Sequence, residues 1–164
     1  MQGSIIQINI SKGGVPKLPI REGEITPLGI ASDDHAHPAI HSGPNKAILI
    51  IAAEVVDDLA ARGYPVFYGA LGENLTTRGL DIKRLRIGDQ IRAGDAVLEI
   101  TQPRGPCSTL DVYGPGIQKE IYDKQVKAHD PSSPHWGMSG FYARVLVTGQ
   151  VRSGDIIAIK ATLA

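Results

Sequence analysis

Cysteine occurs once in the chain, at Cys107, in the run Gln102-Pro103-Arg104-Gly105-Pro106-Cys107. The thiolate is the form of cysteine that attacks electrophiles and binds soft metals, and a fixed cation beside it favours that form. Arg104 is such a cation, and the two prolines stiffen the run everywhere except at Gly105. The bland alternative is a small, buried, apolar side chain. The position just after a strand end, in a stiff cationic run, favours the reactive reading.

Three further groups have the residue types of a polar site. His41-Ser42-Gly43-Pro44-Asn45-Lys46 combines a histidine that transfers protons near neutral pH, an amide, and a lysine suited to phosphate. The alternative there is an ordinary surface loop. Gly72-Glu73-Asn74-Leu75-Thr76-Thr77-Arg78-Gly79 has glycines at both ends, which let backbone approach a ligand closely. It lacks the Gly-Lys-Ser/Thr ending of a phosphate P-loop and otherwise reads as a well hydrogen-bonded turn. Arg144, in Gly140-Phe141-Tyr142-Ala143-Arg144, stands on an otherwise apolar strand. It either meets an anion inside or faces water, and alternation alone does not choose. His35-Ala36-His37 reads as solvated, because two histidines without a cysteine or carboxylate at ligand spacing are a poor metal site. No Ser-His-Asp order, zinc ligand set or dinucleotide-binding glycine pattern is present.

The elements that must position these groups are mostly strands. Nineteen glycines and eleven prolines in 164 residues favour a turn-rich fold over a helical bundle. In Ser4–Ser11, alternation puts Ile6, Ile8 and Ile10 on one side and Gln7, Asn9 and Ser11 on the other. Further strands are expected at 24–30, 47–51, 89–93, 97–102, 141–148 and 156–160, with 72–79 as loop. Helices are expected at 54–62, ended by Gly63, and at 117–127, with an apolar side of Ile117, Ile121, Tyr122 and Val126. Short strands with turn signals plus two helices predict a mostly β, closed or nearly closed barrel with a few short helices, and one domain over residues 1–164.

Composition removes several classes of function. Zero formal net charge gives no basic footprint for nucleic acid. The longest apolar run, Ala47 to Ala53, is far short of the roughly 20 residues that span a bilayer. One cysteine makes no internal disulfide, and the N-terminus has no basic n-region, so the expected compartment is the cytoplasm. An exposed strand or Trp136 would supply the contact of a possible homodimer.

Taken together, these segments resemble the MOSC domains, a family named for the C-terminal domain of molybdenum-cofactor sulfurases. The matching stretches are His41 to Ala47, Gly72 to Leu80, Ile87-Gly88-Asp89, Thr101 to Cys107 and Gly140 to Leu146, in the family's order. The layout is closest to the small stand-alone bacterial members. The chain departs from the pattern at Ser42, where many relatives have glycine, and at Asn45, where aspartate is common. It also does not show the N-terminal β-barrel that accompanies the larger MOSC reductases.

The resemblance implies a barrel fold and binding of the pterin-dithiolene molybdenum cofactor. It implies catalytic roles for Cys107 and His41, with Cys107 also the metal ligand. The implied cofactor-binding set is Lys46, Asn45, Glu73, Asn74, Thr76, Arg78, Arg104 and Arg144. The implied activity is reduction of N-hydroxylated compounds, with electrons from a separate donor, because no flavin, haem or iron–sulfur motif is present. A second reading is a sulfur carrier or sulfurtransferase with a Cys107 persulfide. That reading needs a cysteine desulfurase partner, since nothing here resembles a pyridoxal-phosphate domain. A third is a non-catalytic cofactor-binding module.

Overall fold

A computed structural model describes residues 1–34 and 43–160. His35, His37, His41 and Ser42 lie outside the described residues. The strands are β1 (Gln2–Ile10), β2 (Leu18–Ile20), β3 (Glu22–Thr26), β4 (Gly29–Ile30), β5 (Ile48–Ala52), β6 (Leu75–Arg78), β7 (Gln90–Ala93), β8 (Ala96–Pro103), β9 (Phe141–Val147), β10 (Gly149–Arg152) and β11 (Ile156–Ile159). The helices are α1 (Ala53–Ala61), α2 (Ile117–Ile121) and α3 (Lys124–Lys127), joined by short 3-10 turns.

One sheet runs β11-β7-β8-β9-β5-β6-β1-β2, and a further β11–β1 pairing closes seven of its strands into a barrel. Strand β2 extends beyond the closure on β1, and β10-β3-β4 form a separate small sheet. The β5–β6 pair is parallel and every other pairing in the large sheet is antiparallel. Parallel neighbours need a crossover connection, and α1 begins that crossover. Its face of Ala53, Val55, Val56 and Leu59 is buried. The barrel interior is filled by Ile5, Ile8, Ile50, Leu75, Ile91, Leu98, Ile100, Phe141, Ala143 and Ile157, all essentially fully buried.

The alternation expected in β1 is interrupted. The β1–β6 register shifts between Ile5 and Gln7, so Ile5 and Ile8 both turn inward. A one-residue bulge reverses the sidedness of everything beyond it. Asn9, expected on the polar side, is therefore buried, and its Nδ2 donates to Glu73 O (3.1 Å) and Thr76 Oγ1 (3.1 Å). The stretch expected as loop at 72–79 contains β6, whose Leu75, Thr76 and Thr77 pair with Ile50, Ile51 and Ala52. Strand 24–30 is a hairpin instead, because Pro27 and Leu28 turn the chain and Thr26 Oγ1 donates to Gly29 O (2.8 Å).

The helix expected at 117–127 is two helices. Tyr122 and Asp123 are extended, and Asp123 Oδ1 accepts the Val126 amide at 2.8 Å, starting α3. Asp123 Oδ2 also accepts from Ser133 and sits 2.9 Å from His135 Nδ1. These bonds hold its carboxyl at about 2, below the usual carboxylate value. Trp136 is not a dimer contact. It is buried against Phe141 (5.4 Å between ring centroids) and its Nε1 donates to Leu85 O at 2.9 Å. Among the described residues no helix is long and apolar enough to cross a membrane.

Candidate functional site

Strand β8 ends at Pro103, where the ladder partner is Phe141 at the start of β9. Arg104 is then clamped through its backbone. Its N–H donates to Gly140 O (2.8 Å), and Ser139 Oγ donates to its carbonyl (2.6 Å). Gly140 has φ +88, and a Cβ there would sit 2.6 Å from Ile50 O, so the chain passes β5 as closely as glycine allows. The clamp leaves the Arg104 side chain one direction, inward. It is 5 % exposed, its Nη2 donates to Leu71 O (2.6 Å), and its Nη1 is buried without a hydrogen-bond partner. Tyr142, Cys107 and Glu73 are its electrostatic neighbours.

Glu73 is fully buried. Its Oε1 accepts the Gly69 amide (2.7 Å) and the Thr76 hydroxyl (3.0 Å), while Oε2 has no partner. Burial pushes the Glu73 carboxyl above the ordinary glutamate value, more than the Gly69 amide, the Thr76 hydroxyl and Arg104 pull it down. Burial also lowers Arg104, against the opposing pull of Tyr142, Cys107 and Glu73. A guanidinium still remains charged, because its ordinary value lies far above neutrality. A buried cation thus stands beside a carboxyl that resists ionising. The spare Nη1 has no hydrogen-bond partner. An unpaired buried donor costs about 1–3 kcal/mol, which an incoming acceptor recovers.

Cys107 lies on the next turn of chain and is partly exposed. Its Sγ is 2.8 Å from Thr109 Oγ1, and its carbonyl accepts from Leu110 N (3.1 Å) at the start of the 3-10 turn Ser108–Tyr113. Lys46 closes the other side. The 3-10 turn Pro44–Lys46 is tied to β8 by Thr101 Oγ1 donating to Asn45 O (2.6 Å), and Lys46 Nζ sits 5.6 Å from the centroid of the Tyr142 ring. The Asn45 side chain is exposed.

The fold therefore brings Tyr142, Cys107 and Glu73 around Arg104, with Lys46 on the tyrosine face. Thr76 supports Glu73 from behind. Asn74 does a different job: Oδ1 accepts Leu49 N (3.0 Å) and Nδ2 donates to Asp33 Oδ2 (2.8 Å), pinning β5 to the 31–34 turn. Asp33 also holds the buried Lys17 ammonium at 2.5 Å. Two of the candidates stand apart from Cys107. Arg78 is exposed and bonds Asp57 Oδ2 (2.8 Å) and Tyr68 OH (2.7 Å) beside α1. Arg144 lies on the water side of β9, on the same face as Tyr142 but one pleat further along, paired with Glu99 at 2.6 Å. His41 lies outside the described residues. A shallow apolar cleft lined by Ala52, Val55, Leu80, Ile82 and Met138 includes none of these groups.

Sequence reasoning missed Tyr142, Tyr113 and the Lys17–Asp33 pair. Charge drew attention to Arg144, whereas the β8–β9 register, which sets Gln102 opposite Tyr142, brings the tyrosine to the strand end nearest Arg104. Desolvation first, and the charge of the Glu73 carboxyl second, raise the Tyr113 hydroxyl above the ordinary tyrosine value.

The state of Glu73 has a measurable consequence. A raised value in the fold means that the folded protein binds more protons than the unfolded one above the glutamate reference near 4.3. Stability from this group is then full at low pH and falls as pH rises, by up to about 1.4 kcal/mol per pH unit. Glu73→Gln removes the titration. Its stability relative to wild type, measured by urea unfolding from pH 4 upward, is expected to improve with pH. A gap that is constant or moves the other way would mean that Arg104 holds Glu73 as a carboxylate.

The family model described as MOSC domain matches residues 37–158. The uncharacterized protein YflK of Bacillus subtilis (strain 168) is 34 % identical over 125 residues, covering 74 % of this chain and 51 % of YflK. A protein of Gibberella moniliformis (strain M3125 / FGSC 7600) named reductase is 30 % identical over 136 residues, covering 80 % of this chain and 22 % of the reductase. The crystal structure of YiiM from Geobacillus stearothermophilus superposes with a TM-score of 0.73 at 28 % identity, over 97 % of this chain and 75 % of that one. The chain thus spans about half of YflK and under a quarter of the reductase.

Proposed function

The chain belongs to the MOSC domain family, and from that premise we propose that it binds the pterin-dithiolene molybdenum cofactor and reduces N-hydroxylated compounds in the cytoplasm. One observation carries the reading: Arg104 Nη1, a buried and unpartnered cationic donor, stands beside the partly exposed Cys107. That donor set fits an anionic, sulfur-rich group. A soft thiolate suits a metal already bound by dithiolene sulfur, while Arg104 and Lys46 meet negative charge. Among the described residues no cluster of three His, Cys, Asp or Glu side chains could hold a metal ion by themselves. In this reading Cys107 is the single protein ligand and Arg104 and Lys46 hold the rest of the group by charge.

When bound, the cofactor supplies the two-electron redox couple for R–NH–OH + 2e⁻ + 2H⁺ → R–NH₂ + H₂O. The protein's part is orientation and charge. Arg104, fixed by Gly140, Ser139 and Leu71, keeps its guanidinium in one place. Cys107 is held by Thr109 and the turn behind it. His41 is the proton-transfer group of this reading, and a separate redox protein is the electron donor. The relative named reductase supports the class of activity.

The test is elemental analysis of protein from a molybdenum-replete host, or after reconstitution with the cofactor. Near-stoichiometric molybdenum, with reduction of an amidoxime when a donor is supplied, is the expected result. Cyanide-releasable sulfur without molybdenum would replace this reading with the sulfur carrier. Bound cofactor inert with every competent donor would leave a binding module.

A further inference from the structure

The 3-10 turn Ile82–Arg84 and the stretch to Ile87 lie over the segment that clamps Arg104. Trp136 Nε1 donates to Leu85 O (2.9 Å), and a Cβ at Gly137 would lie 3.0 Å from Ile82 O and 3.2 Å from the Phe141 ring. Trp136 meets Phe141 edge-on at 5.4 Å, Phe141 pairs with Pro103, and Gly140 O accepts the Arg104 amide at 2.8 Å. An unbroken run of contacts thus joins the surface at 83–87 to the backbone of Arg104. That surface is cationic with an apolar centre. Lys83, Arg84 and Arg86 are exposed and form no ion pair among the described residues. Ile87 beside them is 43 % exposed. Arg86 is already fixed: its Nη1 donates to Lys83 O (2.8 Å) and Leu85 O (2.9 Å), and its guanidinium carbon lies 6.0 Å from the centroid of the Trp136 ring. Two carboxylates flank the cations. Asp81 is exposed, and Asp89 Oδ2 accepts the Arg86 amide at 2.7 Å. The whole chain has zero net charge, so the excess of cations here is local.

A side chain that is already fixed loses little freedom when a partner binds it. Charges around an apolar contact make a transient interface, in which the charges steer the encounter and the apolar contact holds it. A nucleic-acid backbone calls for a wider basic footprint than three cations with two carboxylates beside them. We propose that residues 83–87 are the docking surface for the electron donor, and that this donor is an acidic one-electron carrier protein of the flavodoxin type. The inference rests on the reading of the site as a reductase, which draws its electrons from outside the chain. It adds where the donor is met and by what charge. Each N-hydroxylated molecule reduced oxidises two carriers by one electron apiece. The N–O bond breaks, and the two protons complete the amine and water.

The experiment uses the full chain with flavodoxin as the acidic carrier. Binding is followed by NMR chemical shifts of the labelled chain, and electron transfer by stopped flow in the cofactor-loaded protein, with dithionite as a small reductant for comparison. Lys83→Glu/Arg84→Glu/Arg86→Glu is set against Lys12→Glu/Arg21→Glu/Lys119→Glu, which makes the same change in net charge at exposed sites elsewhere. At low ionic strength the first variant is expected to lose at least about tenfold in affinity and in the second-order rate constant, and the second variant to stay near wild type. The difference closes at high salt, where screening removes the steering. Reduction by dithionite is expected to be the same in all three. Lys83→Glu/Arg84→Glu, which leaves the Arg86 bonds in place, should give a smaller loss of the same kind. Equal losses in the two triple variants, or duplex DNA bound as tightly through 83–87, overturns the proposal. If flavodoxin binds through 83–87 to protein that takes up no molybdenum on reconstitution, the docking surface stands and the reductase reading falls. If dithionite drives amidoxime reduction while flavodoxin neither binds nor reduces the protein, the reading stands and the docking surface falls.

Discussion

With the molybdenum cofactor held as proposed, Cys107→Ser protein is expected to lose bound molybdenum by well over tenfold while melting within a degree or two of wild type. The two halves of this result have separate causes. Cys107 is partly exposed and its described side-chain partner is the exposed Thr109 hydroxyl, so replacing sulfur with oxygen removes little packing. Substitutions of that kind usually change stability by no more than about 0.5 kcal/mol. The ligand chemistry changes completely. A serine hydroxyl stays protonated near neutral pH and is a hard donor, whereas the metal of a dithiolene site prefers soft sulfur. Arg104 keeps its charge but loses its sulfur neighbour. Even partners that only orient a metal ligand commonly cost 10–100-fold in affinity when removed, and a direct ligand should cost at least as much. The measurement is molybdenum per protein, with thermal unfolding as the control. Wild-type molybdenum in the Cys107→Ser protein would remove the cysteine from the metal.

Gly69→Ala is expected to cost about 3 kcal/mol or more and to loosen Glu73. Gly69 has φ +97, and an added Cβ would lie 2.2 Å from Lys17 O and 3.3 Å from Asn9 Cγ. Backbone strain alone costs about 1–3 kcal/mol for a non-glycine residue in such a region. The clash adds to it, because the obstacle is backbone of the β1–β2 connection that cannot swing away. Gly69 O accepts the Lys17 amide at 2.9 Å and Gly69 N–H donates to Glu73, so movement there reaches the site directly. Gly63→Ala is the matched comparison. Gly63 has φ +96 with nothing within 4 Å of the added Cβ, so it reports strain without collision. Urea midpoints of the two variants should differ by at least about 1 kcal/mol once converted with the slope. Equal losses would show that the approach of Lys17 to Gly69 is not a constraint.

Much of the barrel was legible in the chain. The β7–β8 hairpin around Gly94-Asp95, strands β5, β9 and β11 and helix α1 stand where apolar patterning and turn residues put them, within a residue or two. Patterning reads local periodicity well because burial of one face rewards it at every step. It failed where tertiary pairing overrides the local signal. β6 carries threonines and flanking glycines that read as loop, and becomes a strand because β5 and β1 offer backbone partners on both sides. The helix at 117–127 divides because Asp123 finds Val126, Ser133 and His135 to bond, a gain that patterning of apolar residues does not register.

The same division holds for the site. Taken alone, the amino-acid order determined the chemistry on offer: one sulfur, a cation three residues before it in a proline-stiffened run, and a glycine-bounded segment rich in hydrogen-bonding side chains. It also determined the family, because those segments recur in a fixed order. Only the tertiary structure decided which of them face one another. The β1 bulge turned Asn9 inward to hold the Glu73 segment, the β8–β9 register brought Tyr142 rather than Arg144 to Arg104, and Arg78 went to Asp57 on α1. Facing is fixed by strand register and closure of the barrel, which are contacts between residues distant in the chain, and no local pattern encodes them.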